Sequence, residues 1–218
     1  MTKKETVKRY ILFLVGMFFI SCGVAIAKHS ELGVTTISSV ANVVSIKFDF
    51  ISIGSWIFIW NMILIMVQMA ILRKDFKSMD FMQIGVAFTL GYATDLCLLF
   101  VSLIPLPNYY ARLATVIVGI IVLSFGISIT FIADTLLNAA EAFVKVIGLK
   151  TGKNLGNIKM ALDASTVSLA IILSLIFFDG QVIGVREGTI IAVFLIGPIV
   201  KRCNKLLEDP LNRLIRGS

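Results

Sequence analysis

Residues 113–132 read LATVIVGIIVLSFGISITFI, 20 positions without one charge. A helix crossing a bilayer needs about 20 predominantly apolar residues, because it rises ~1.5 Å per residue through roughly 30 Å of hydrocarbon. In lipid such a stretch must satisfy every backbone N–H and C=O by itself, which leaves the α-helix as its conformation. Five more stretches share this character: 10–27, 51–72, 81–106, 158–178 and about 184–200. The first two of these are uncharged, 81–106 contains Asp95, and 158–178 contains Lys159 and Asp163. The last opens on Arg186 and Glu187 and is wholly uncharged only over 188–200. The whole chain of 218 residues is 58% hydrophobic and 15% charged, with mean hydropathy +0.96. A soluble domain is ~45–50% apolar and ~25% charged, so a water-soluble globule, a disordered chain and a secreted disulfide scaffold are excluded.

The net charge of +7 does not indicate a nucleic-acid partner, since the basic residues are spread over short joints and form no single face. Cys22, Cys97 and Cys203 are widely spaced, with no CxxC and no histidine at metal spacing, so neither a disulfide framework, a metal site nor a cofactor is expected. The first stretch has the basic start of a signal peptide (Lys3, Lys4, Lys8, Arg9) and an Ala25-Ile26-Ala27 end. Its apolar run exceeds the usual ~7–15 residues, and it is read as a retained helix. With both termini cytoplasmic, 16 of the 20 Lys and Arg fall on the inner side, leaving Lys28, Lys47, Arg112 and Arg186 outside. That bias sets the orientation.

The two halves resemble each other. Ser21-Cys22-Gly23 matches Ser124-Phe125-Gly126. Gly54 followed by Asn61 matches Gly156 followed by Asp163. Phe88-Thr89-Leu90-Gly91 with Cys97 matches Phe194-Leu195-Ile196-Gly197 with Cys203. The offsets are 103, 102 and 106 residues. Three spans cross an odd number of times, so the second copy is inverted, a plan common in secondary transporters. In each half the first helix is followed by a semi-polar stretch, 33–47 and 134–148, too polar to span. Thr36, Ser39 and Val43 of the first share one helical face. Each stretch reads as a short helix, either re-entrant against protein or a cavity or amphipathic in the interface. The expectation is an all-α polytopic membrane protein: a single membrane domain, 1–218, of six transmembrane helices as two inverted three-helix repeats (about 10–106 and 113–203).

Ionisable groups at membrane depth are functional candidates by default. Asp163 follows Lys159 by one turn, on the same face, as a structural clamp or a site that opens when a proton or substrate replaces one partner. Glu141 is either a solvated interfacial residue or the acidic lining of an inner cavity. Arg186-Glu187-Gly188-Thr189 reads as a capped helix start or an anion site on free N–H groups. Asn61 gains interest as the counterpart of Asp163, and Thr36 joins the set through its stretch. Gln68 is a weaker candidate. Asp95 is another weaker candidate, for which a basic group across the bundle is one available partner, and His29 is expected to be a solvated loop residue. Gly197-Pro198 is expected to kink the last helix.

Glu31-Leu32-Gly33-Val34-Thr35-Thr36-Ile37-Ser38, Ile53-Gly54-Ser55-Trp56 with Asn61, Lys159 with Asp163, and Gly184-Val185-Arg186-Glu187-Gly188-Thr189 together resemble the bacterial YczE/YyaS/YitT group of integral membrane proteins, over nearly the whole chain. Relatives in that group often have a proline after the Leu-Gly pair, where this chain has Thr35-Thr36. The resemblance implies a bacterial cytoplasmic-membrane protein of a group described as transporters, and names no substrate. The expected function is a small-molecule or ion secondary transporter working by alternating access, with an acidic residue carrying a coupling proton. A homodimer is one way for six short helices to enclose enough volume. The alternatives are a substrate-binding subunit of an energy-coupling transport complex and a structural or assembly protein. An enzyme is not expected, there being no HExxH, no GxSxG and one histidine.

Overall fold

Helix-forming stretches are separated by residues that start or stop helices. Asn108, Asn138 and Asn154 each turn a side-chain oxygen onto the first turn that follows, accepting from the N–H of Ala111, Glu141 and Gly156. Ser52 does the same for Ser55. Such caps satisfy donors that a helix start leaves unpaired. In a computed structural model, residues 3–216 are described, Arg216 by its backbone alone. Among them are α1 (Lys3–His29), α2 (Ser39–Lys47), α3 (Ile53–Leu72), α4 (Met82–Val101), α5 (Tyr109–Ala133), α6 (Ala139–Thr151), α7 (Leu155–Phe177) and α8 (Glu187–Arg216), and no strand. The semi-polar stretches supply α2 and α6.

Helices α1, α3, α4, α5 and α7 are long and apolar enough to cross a membrane. Large apolar side chains also stand open on the outside, among them Leu103, Phe194 and Ile176, each at least two-thirds exposed. Such a surface suits lipid and not water. The chain is an all-helical membrane protein. The expected sixth span is not among these five. The uncharged run 188–200 lies at the start of α8, which continues past it through Lys201, Arg202 and Lys205. At ~1.5 Å per residue that run covers only about 20 Å. Helix α8 also runs on through Pro198 and Pro210, so Gly197-Pro198 does not end it.

The helices fall into two compact units, and each draws on both halves of the chain. One comprises residues 1–35, 96–135 and 187–218, the other 36–95 and 136–186.

In the first unit α1 lies against α5, antiparallel, along a glycine seam. A Cβ on Gly23 would stand 2.5 Å from the backbone N of Leu123 and 2.7 Å from the carbonyl of Gly119; one on Gly16 would stand 3.0 Å from the carbonyl of Gly126. Reciprocally, a Cβ on Gly126 would meet Ile20 N at 2.6 Å, and one on Gly119 would meet Ala27 N at 2.9 Å. Absent side chains let two backbones touch, the usual route to tight packing in lipid. Helix α8 packs on α5, where the Ser128 hydroxyl reaches the carbonyls of Ser124 and Val200. Carbonyls at helix ends are closed by cations from elsewhere: Arg9 donates to Ala133 O at 2.9 Å and Lys8 to Leu214 O at 2.8 Å. His29 is not in a loop. It ends α1, half-buried, with Nε2 2.7 Å from the carbonyl of Ile104. Cys22 and Cys97, far apart in sequence, come close to each other here.

In the second unit α2 packs on α3 and α7, and α6 on α7 and α3. Val40, Val43, Ala170 and Val185 form one buried cluster, and Leu64, Ile65, Ala139 and Ala140 another; Trp60 packs against both. Asp95 finds no basic group but closes the start of α3, accepting from Gly54 N–H at 2.8 Å and from the Ser52 hydroxyl at 2.5 Å. A carboxylate there complements the positive end of the helix. It reaches that place because Gly54 and Gly91 let α3 and α4 cross backbone to backbone, where a Cβ on either would overlap the other's carbonyl.

Candidate functional site

Lys159 and Asp163 lie in α7, one of the spanning helices. Their i, i+4 spacing puts both side chains on one face. Lys159 Nζ reaches both carboxylate oxygens of Asp163, at 2.5 and 2.6 Å. Helix electrostatics alone do not favour this arrangement, since a lysine near the start of a helix faces the positive end of its dipole. The surroundings hold it. Thr36, 6% exposed in the turn before α2, donates its hydroxyl to Asp163 Oδ1 at 3.1 Å. That turn is itself fixed by Ser39, whose hydroxyl donates to the Thr36 carbonyl at 2.6 Å. Lys159 and Asp163 side chains are 37% and 24% exposed, so the pair is neither sealed from its surroundings nor free in them.

Glu141 stands on the first turn of α6, which packs on α7. Its N–H donates to Asn138 Oδ1 at 2.9 Å, which leaves its carboxyl close to the same residue. Asn138-x-x-Glu141 thus has the spacing of a reciprocal helix cap, visible in the sequence, with its N-cap half formed by Asn138. Burial raises the Glu141 carboxyl above the usual range, and the nearby Lys159 charge and the Asn138 hydrogen bonds oppose it. The desolvation effect is the larger. Four of the seven residues singled out from the sequence, Thr36, Glu141, Lys159 and Asp163, therefore come together.

The other three have different settings. Asn61 is buried on α3 and donates to the Ile57 carbonyl of its own helix at 2.8 Å. Arg186 and Glu187 are exposed at the start of α8. The anion reading of that start loses a donor, because the N–H of Gly188 is taken by the carbonyl of Leu32 at 2.8 Å.

Two side chains gain weight. Gln68, 1% exposed, donates Nε2 to the Ala139 carbonyl at 2.9 Å, and its Oε1 is buried without a partner. The indole N–H of Trp60 is likewise buried and unpaired. Their sequence signal is an amide and an indole in a helix with no titratable side chain. Asn61, Leu64 and Gln68 recur on its buried face at helical spacing. Among the described residues no three His, Cys, Asp or Glu side chains converge to hold a metal.

No curated protein and no solved structure matches the chain. Residues 7–205 match the family DUF6198, a family of unknown function, and the chain belongs to that family.

Proposed function

We propose that the protein is a small-molecule secondary transporter of the bacterial cytoplasmic membrane, proton-coupled, with both termini in the cytoplasm. The observation that carries this reading is the half-buried Lys159–Asp163 pair on a helix of a membrane protein, held by the buried Thr36 and with Glu141 beside it. Charge in such a place is expensive and is usually kept for moving ions, protons or substrates.

Alternating access needs two units that can exchange roles, and reciprocal packing supports an inverted repeat of three spans, with the apolar start of α8 as the sixth. Gly16 and Gly23 of α1 correspond to Gly119 and Gly126 of α5 at the offset of 103 residues. The contact of Gly16 with Gly126 is then the counterpart of that between Gly119 and Gly23. Helix α2 on α7 answers α6 on α3 in the same way. The halves differ in their last helices. Gly54 meets Gly91, whereas the counterpart Gly197 has open space around it. The resemblance to the YczE/YyaS/YitT group points the same way.

A thermal-shift screen of the purified protein against metabolites identifies a ligand, since a molecule that binds only the folded form raises its melting temperature. Uptake of that ligand into proteoliposomes under an imposed pH gradient then tests transport. Asp163→Asn frees Lys159 to neutralise Glu141, and is expected to abolish pH-driven uptake while the protein still folds. Unchanged uptake by this variant would reject the reading.

A further inference from the structure

The charges around Lys159 do not balance. Lys159 faces two carboxylates, and Asp163 already holds it through both oxygens. Glu141 lies within the field of the same lysine. Helix α6 packs on α3 and α7. From Ile53 to Leu72, α3 has no titratable side chain, and α7 contributes Lys159 and Asp163 alone. On α6 itself Lys145, one turn after Glu141, is exposed and forms no ion pair with it, and Lys150 pairs with Asp75 at 3.0 Å. These elements supply no second cation for Glu141. An acceptor is left over at the same turn of α6. Gln68 gives its N–H to Ala139 O, two residues before Glu141, and keeps Oε1 buried with nothing donating to it. A carboxylate without a cation of its own and an amide oxygen in want of a donor match a group that brings positive charge and several N–H bonds together.

We propose that Glu141, with Gln68 beside it, is a seat for one positive charge, filled alternately by a proton and by the ammonium or guanidinium group of a small organic cation. The inference builds on the transporter reading and gives it a substrate class, with exchange of a proton for a cation. In the exchange the O–H bond of the protonated Glu141 carboxyl breaks and the proton leaves to solvent. The resulting carboxylate accepts N–H bonds from the incoming cation, and no electrons change hands. The upward displacement of the Glu141 carboxyl by burial keeps the proton in place at a pH where an exposed glutamate has lost it.

The test uses the full chain in detergent, titrated with methylammonium or guanidinium chloride at constant ionic strength. Tetramethylammonium chloride, which has charge but no N–H, is the control. Binding is followed by thermal shift, and protons by an indicator dye in weak buffer. Methylammonium and guanidinium are expected to bind and release up to one proton each. Their apparent affinity falls about tenfold per pH unit on the acid side of the Glu141 titration. Glu141→Gln, which keeps the helix cap, is expected to abolish proton release and weaken binding at least tenfold. Gln68→Met is expected to weaken binding several-fold and leave proton release in place. Failure of both cations to bind, equal binding of tetramethylammonium, or proton release that survives Glu141→Gln overturns the inference. The transporter reading fails separately. Cation binding with proton release but no cation-driven proton movement in proteoliposomes removes transport and leaves the seat. Substrate-driven proton movement that Glu141→Gln does not alter removes the seat and leaves transport.

Discussion

Gly23→Ala adds one methyl group where α1 and α5 already touch. Its carbon would stand 2.5 Å from the backbone N and the Cβ of Leu123 and 2.7 Å from the carbonyl of Gly119. Backbone atoms cannot rotate away, so the two helices must separate by about 1 Å to restore ordinary contact. Overpacking of this kind costs about 1–3 kcal/mol, and the upper part of that range applies where the obstacle is main chain. Replacing glycine by alanine inside a helix returns about 0.5–1 kcal/mol. The net expectation is a loss of about 1–2 kcal/mol. Gly85→Ala is the control, because a Cβ on Gly85 meets nothing within 4 Å. It should show the propensity gain alone, of opposite sign. Gly119→Ala opens the same crossing, so the double variant with Gly23→Ala should lose less than the two single losses added. Unfolding in mixed micelles as dodecyl sulfate is titrated in measures all four proteins. If Gly23→Ala proves as stable as the parent, or shifts in the same direction as Gly85→Ala, the glycine seam is not where α1 and α5 meet.

Three further outcomes are expected. Asp95→Ala removes the acceptor for Gly54 N–H and the Ser52 hydroxyl and should cost about 1–2 kcal/mol in the same unfolding assay; a neutral result means that the start of α3 is closed by other groups. Below the ordinary glutamate range Glu141 is protonated in the folded and unfolded chain alike. As pH rises, the unfolded chain loses this proton first, because the folded value is raised. Stability should therefore fall, by at most about 1.4 kcal/mol per pH unit, until the folded group also ionises. Subtracting the melting profile of Glu141→Gln isolates this fall, and a difference that rises with pH contradicts it. For Lys159 and Asp163, a double-mutant cycle through Lys159→Met and Asp163→Asn should give a coupling of no more than about 1 kcal/mol, as their partial exposure implies. A larger coupling means a pair more sealed than its exposure indicates.

What the sequence made legible was local. An apolar run long enough for the bilayer is a helix wherever it lies, so α1, α3, α4, α5 and α7 could be placed, with no end off by more than seven residues. The Lys159–Asp163 contact follows from one helical turn of spacing. Asp95 could not be given its partner, because that depends on which helix end crosses it. The Gly54–Gly91 crossing that brings Ser52 and Gly54 to it is set by chain segments some 40 residues apart. Thr36 could be suspected but not given a partner, for the same reason. Glu141 was ambiguous between solvent and cavity, although Asn138 three residues before it already announced a helix start. The last expected span is not among the five because Gly188–Val200 reads as apolar in isolation, while the helix that contains it continues into charge.

The interleaving of the two units has a temporal consequence. Gly16 and Gly23 have no seam to join until Gly119 and Gly126, 103 residues later, leave the ribosome. At a synthesis rate of about 5–20 residues per second, that gap is roughly 5–20 s. For that interval α1 resides in the bilayer with its glycine stripe against acyl chains. The first unit is finished only when the last helix is made, so insertion and tertiary assembly are separate events in this protein.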